Sequence, residues 1–296
     1  MASNYYGQNT THTKAVMQAL APYLLAHPEL HWAVLLDSAF DYEAGAAPSG
    51  LGQPINCYSG LDDLDDLAPV APCLYPIDAT ADGCAGCEAL LDHASARPML
   101  SIVASFKPLK DLAETWAPLY WVYASDPEDK QRFALRFADS RSLQALPSLL
   151  PPSAWQALRS PLAFWFLVNR AGELEALPAA PEGTQASSRI ALSANAMGKM
   201  LEQAMPDTLL QQLVERAFDD IDTTLPHLAL FKWMQDAHAL GAESGLGNMN
   251  DLGALAYGTL LSKGAVLENE KVQALLRDKA FVPGRLDEAL AALDVV

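Results

Sequence analysis

Asp37 closes the apolar run Trp32-Ala33-Val34-Leu35-Leu36 and is followed by Ser38, Ala39 and Phe40. A carboxylate at the end of a buried strand can act as a general acid or base, a metal ligand or a structural group. Further along, Arg136, Asp139 and Arg141 crowd together in the stretch RFALRFADSR, with Phe137 among them. Two carboxylates and two guanidinium groups could form an acid/base site. More often, half-buried charges beside apolar strands neutralise one another at the edge of a core. The structural reading is the preferred one, and it makes a specific expectation. Asp37 should lie at the C-terminal end of a central strand and accept hydrogen bonds from backbone N–H groups or an arginine, with Arg136 and Arg141 as the candidates.

Other residues with chemical potential are the cysteines and the aspartate run. Cys84-Ala85-Gly86-Cys87 has the C-x-x-C spacing, while Cys57 and Cys73 stand alone. A structural zinc site needs a second pair or histidines at similar spacing, and only His93 is near. A redox motif would open a helix just after a strand, but the preceding DATADG reads as a loop. Asp62, Asp63, Asp65 and Asp66 resemble a metal set. However, Leu61, Leu64 and Leu67 fall three apart and so share a helical face, which turns the aspartates to water. The nucleophile elbow, the phosphate-binding loop, the dinucleotide loop and H-E-x-x-H are all missing from the sequence. No two of the six histidines stand at ligand spacing on one element. No catalytic, cofactor-binding or metal-ligating residue is assigned.

The formal net charge of the 296-residue chain is −17, and it is unevenly spread. Residues 1 to 96 hold twelve Asp and Glu against one base, Lys14. Such a balance argues against nucleic acid or an anionic membrane surface as partner. It suits a protein partner, a basic one being steered to the N-terminal part. Half of the residues are apolar, 51%, as a folded core requires. The opening MASNYYGQNTTHTK is polar and lacks the apolar stretch of a signal peptide. The chain is read as cytoplasmic.

Several elements must position these groups. Thr11 to His27 reads as a helix whose apolar face carries Val16, Met17, Leu20, Leu24 and Leu25. Trp32–Leu36, Ile55–Tyr58, Pro72–Ile77, Pro98–Ala104 and residues 162 to 169 read as strands, and 44 to 54 as a loop. Cys84–Ala94 and Pro108–Trp116 read as helices. LYWVYAS and RFALRFADS, separated by DPEDKQ, predict a hairpin in which Phe133, Leu135 and Phe137 alternate. Asp139 stands where an N-cap should, ahead of SRSLQALPSLL. The expected fold is an α/β (or α+β) domain over 1–178, with a mixed sheet flanked by helices. A linker over 179–192 leads to a small all-α domain over 193–296. In that domain nothing strand-like is expected from Ile190 on, and Pro206, Pro226 and several glycines should separate the helices.

Three blocks in order resemble one family, the type VI secretion effector chaperones, also called adaptors. LHWAVLLDSAF resembles its opening strand-and-Asp motif and LAPVAPCLYPID its second block. RFALRFADSRSLQALPSLLPPSAWQALRSPLAFWFLV resembles the third, an Arg-Phe-x-Asp-x-Arg core followed by a Leu-rich helix and an aromatic strand. Arg136, Phe137, Asp139 and Arg141 occupy that core, with Ala138 and Ser140 where the family usually carries an aromatic and a proline. The resemblance spans about residues 30 to 175.

It implies a non-enzymatic protein that holds a cognate secreted effector in the cytoplasm. Such a protein helps mount its effector on the spike, the valine-glycine-repeat protein (VgrG) or its PAAR tip, with no cofactor, nucleic acid or membrane involved. The alternatives are a cytoplasmic enzyme using Asp37 or the Cys84/Cys87 pair, and an immunity-like toxin-binding protein.

Overall fold

The computed structural model describes residues 7–41, 47–48, 52–125, 131–222 and 224–294. The chain divides into two units, Thr10–Leu201 and a second made of Met1–Asn9 with Glu202–Val296. The segment 179–192 belongs to the first unit, and the division falls inside a helix.

The first unit opens with α1 (Thr13–Ala26), which buries Val16, Met17, Leu20 and Leu24. Leu25, expected on that face, is exposed. Then follow β1 (His31–Asp37), β2 (Ile55–Asn56), β3 (Pro72–Ile77), α2 (Ala81–His93), β4 (Leu100–Ser105), α3 (Leu109–Trp116), β5 (Trp121–Ala124) and β6 (Arg132–Ala134). After these come α4 (Ser140–Leu149), α5 (Pro152–Arg159), β7 (Leu162–Val168), β8 (Leu174–Ala176) and β9 (Ile190–Leu192). Most of the loop 44–54, Tyr42 and Glu43 beside it, and the DPEDK turn at 126–130 lie outside the described residues.

Six strands form one sheet in the order β2-β3-β1-β4-β7-β8, and every pairing in it is antiparallel. β1 is central, with Val34 aligned to Tyr75 on one side and Ile102 on the other. Every residue of β1 after His31 is buried. Both faces are covered, so a continuous apolar run rather than an alternating one is what such a strand needs. The mixed character lies in a second sheet of order β6-β5-β9, where β5 pairs antiparallel with β6 and parallel with β9.

The expected hairpin is therefore present as β5 and β6, but it is short. Its strand ends at Ala134, and Phe133 is exposed while Leu135 and Phe137 enter the core. β9 corrects the expectation that nothing strand-like follows Ile190. Its inward residues Ile190 and Leu192 are 0% and 1% exposed, and three residues paired across a long separation leave no periodic signal of their own.

The second unit is helical: the rest of α6 (Ala194–Arg216), α7 (His227–Glu243), α8 (Met249–Leu261), α9 (Ala265–Glu268), α10 (Glu270–Arg277) and α11 (Leu286–Ala292). Pro206 does not end a helix as expected, because α6 runs through it. The ring removes one backbone donor. The buried stripe Leu209, Leu210, Leu213 and Val214 holds the helix in place regardless. Asn248 caps α8, accepting from the Asn250 N–H at 2.8 Å. No helix among the described residues is long and apolar enough to cross a membrane.

Candidate functional site

β1 ends at Asp37, and the chain turns there into a 3-10 segment, Ser38–Phe40. The Asp37 side chain makes this turn possible by accepting the Ala39 N–H at 3.1 Å. Its own N–H donates to the Met99 carbonyl at 2.8 Å, so the strand end is held from both sides. The other carboxylate oxygen accepts Arg136 Nη2 at 2.8 Å. The expectation for Asp37 is met by a backbone N–H and by Arg136.

Arg136 is delivered by the turn that follows β6. That turn is pinned from below by Phe137, which is fully buried. The Phe137 ring stacks on Tyr120 at 5.6 Å and meets Trp116 edge-on at 5.1 Å. A ring this enclosed fixes its backbone neighbours, so Arg136 and Asp139 emerge at defined places. Phe137 thus belongs to the core beneath the site.

Asp139 is the N-cap of α4 and accepts the Arg141 N–H at 3.0 Å. The same carboxylate receives the Arg141 side chain as a fork, Nε at 3.1 Å and Nη2 at 2.8 Å. Arg141 therefore serves Asp139 and not Asp37. Arg136 Nη2 stands 3.8 Å from Asp139 Oδ2, which links the two carboxylates through one guanidinium.

Ser140 stands where the resembled family usually has proline. It donates its N–H to the Pro98 carbonyl at 2.9 Å, a bond proline could not make. The buried Phe40 completes the group: the guanidinium carbons of Arg136 and Arg141 lie 5.4 and 5.6 Å from its ring centre, within cation–π range. The sequence reading missed Phe40 as the shared platform. Its signal was an aromatic three residues after the strand-end aspartate.

The burial is asymmetric. Both aspartates are 3% exposed, whereas the Arg136 and Arg141 side chains are 46% and 22% exposed. Burial raises the Asp37 carboxyl above its ordinary range, and the attraction of Arg136 pulls it back only in part. The guanidinium is half in water, where its field is screened, while the carboxylate is not. Nearby, burial and the Asp37 charge push the Tyr58 hydroxyl up to about 12.

The other sequence candidates fall elsewhere. Asp62, Asp63, Asp65 and Asp66 are exposed around the buried Leu64 on a 3-10 segment, Asp62–Val70, the solvated face expected of them. Asp63 pairs with Arg132 at 2.8 Å. The four cysteines are free thiols; Cys57, Cys73 and Cys87 are buried and Cys84 is half-buried. Burial pushes Cys57 and Cys87 up to about 12, the opposite of what a reactive thiol requires. Among the described residues no group of three or more His, Cys, Asp or Glu could hold a metal ion.

Residues 31–157 match the model of a family described as "Domain of unknown function (DUF4123)". The match starts at the first residue of β1 and ends within α5, so it takes in Asp37, Arg136, Phe137, Asp139 and Arg141. No curated protein and no solved structure matches the chain. Residues 31–157 are thus similar to the family that the three sequence blocks resemble, the type VI secretion effector chaperones or adaptors.

Proposed function

We propose that this chain is a non-enzymatic adaptor that binds a cognate secreted effector in the cytoplasm and helps load it onto the spike, VgrG or its PAAR tip. The observation that carries the reading is the family match, which contains the whole Asp37–Arg136–Asp139–Arg141 group. The state of that group supports a non-catalytic role. Each aspartate is engaged by a backbone N–H and an arginine, as half-buried charges at the edge of a core are. The group acts as an anchor that orders the end of β1 and the start of α4 and leaves two arginines facing outward.

The test is co-purification with a toxin encoded beside its gene, followed by a delivery assay with and without this chain. The expected result is a stable complex and loss of delivery when the adaptor is deleted. Undiminished delivery and killing without it would overturn the reading. Neutralisation of the toxin with no effect on export would assign an immunity-like role instead.

A further inference from the structure

The small sheet presents an outward face unlike the rest of this acidic chain. Strand alternation places Trp121 and Tyr123 of β5 on one side and Val122 on the other. The pairing of Arg132 with Tyr123 and of Ala134 with Trp121 puts both β6 residues on the Trp121 side. Ala191 pairs with Tyr123, and Arg189, two residues earlier, shares its side. The inward residues Val122, Ile190 and Leu192 are buried. The outward set therefore comprises two aromatics, two arginines and two alanines.

The arginines lie across the rings. The Arg132 guanidinium carbon is 4.2 Å from the Trp121 ring centre, and that of Arg189 is 5.0 Å from Tyr123. Arg132 and Arg189 are exposed, while Trp121 and Tyr123 are half-buried. A guanidinium over a ring can still turn N–H groups to a carboxylate, and on Arg132 Asp63 and Tyr123 take part of that capacity. Tryptophan, tyrosine and arginine are also the residues that dominate binding hot spots. Asp63 already holds one edge of Arg132 at 2.8 Å, which shows that an exposed carboxylate fits there.

We infer that this face of the small sheet docks an extended acidic segment of the protein the adaptor loads, with carboxylates at alternate positions. The inference rests on the loading function proposed above. Charge complementarity selects the occupant: Arg189, and Arg132 beside its partner Asp63, bring positive groups to the surface of a chain whose net charge is −17. Geometry sets the spacing. Trp121 and Tyr123 are two residues apart on one strand, about 6.7 Å, which is also the distance between side chains at i and i+2 of an extended peptide.

The experiment uses the full chain and two labelled probe peptides, (Thr-Glu)5 and (Thr-Gln)5, in fluorescence anisotropy at low and moderate salt. The glutamate peptide should bind at least tenfold more tightly than the glutamine one, and salt should weaken it. The double variant Arg132→Gln, Arg189→Gln should lose at least tenfold in affinity while keeping the wild-type urea midpoint. Trp121→Leu should weaken binding with both arginines in place. Failure of the glutamate peptide to bind, equal binding of both peptides, or an unaffected double variant would overturn the proposal. In the delivery assay, a double variant that loads the toxin as well as wild type overturns this surface and leaves the adaptor role standing. Delivery that never needed the chain overturns the adaptor role itself.

Discussion

Two regions of the molecule bury aspartates, and they satisfy them in different ways. In the helical unit, Asp251 is 3% exposed and accepts the Gly284 N–H at 2.8 Å and the Leu286 N–H at 3.1 Å. These are backbone donors at the entry to α11, so this carboxylate staples two helices. In the sheet unit, Asp37 and Asp139 take one backbone donor each and give their remaining capacity to arginines that reach water. The first arrangement is closed on itself. The second ties each buried carboxylate to a guanidinium that is itself partly exposed. The difference separates an aspartate that only holds the fold from a pair that also aims side chains outward.

Substitutions can break this comparison. Asp251→Ala should have the largest effect, about 2–4 kcal/mol, because the buried Leu286 N–H and the half-buried Gly284 N–H lose their acceptor. Chemical denaturation read in the helical unit checks it, and a loss below about 1 kcal/mol would show that the staple is dispensable. Asp139→Ala removes a helix cap and the forked partner of Arg141, and should cost about 2–3 kcal/mol. Hydrogen exchange should show the first turn of α4 opening first.

Asp37→Ala should cost less, about 1–2 kcal/mol. The few kcal/mol expected for breaking a buried ion pair assume that the abandoned charge is trapped. Arg136 is half exposed and turns to water instead. Denaturation of Asp37→Ala and Asp139→Ala side by side checks the ranking, which fails if Asp37→Ala is the more damaging.

The smallest effect is a dependence on pH. The Asp37 carboxyl is raised in the folded state above its ordinary 3.8. Folded protein therefore holds that proton more readily than unfolded chain does. The contribution is complete below about 3.8 and is lost as pH rises through the higher folded value. Asp37→Asn abolishes the titration while keeping an acceptor for the Ala39 N–H. The stability of wild type relative to Asp37→Asn should fall on going from about pH 4 to neutrality. A wild-type urea midpoint that rises relative to that of Asp37→Asn as pH increases would contradict the assignment.

Much of this arrangement can be read from residue order, and the limits have physical causes. Asp37 was visible because a wholly apolar run stops at it. Asp139 was visible because an aspartate before a Leu-rich helix is a cap. The choice of Arg136 over Arg141 for Asp37 was not, since both lie within reach and only the turn pinned by Phe137 decides. β9 escaped notice because its partner β5 is distant in sequence and parallel pairing has no turn to announce it. Phe133 fits an alternating pattern but sits on an edge strand, where the inward side is only partly covered.

All four cysteines lie at or before position 87, within the unit Thr10–Leu201. Cys57 and Cys87, pushed up to about 12, scarcely form thiolate in the folded state near neutrality, and a buried sulfur is also out of reach of an alkylating reagent. Their capture by iodoacetamide therefore clocks the opening of the sheet unit alone, with half-buried Cys84 as the fast internal standard and the helical unit silent. Mass spectrometry of a timed alkylation would give the lifetime of that unit without any engineered label. Repeated with a candidate effector added, it would test whether binding slows that opening.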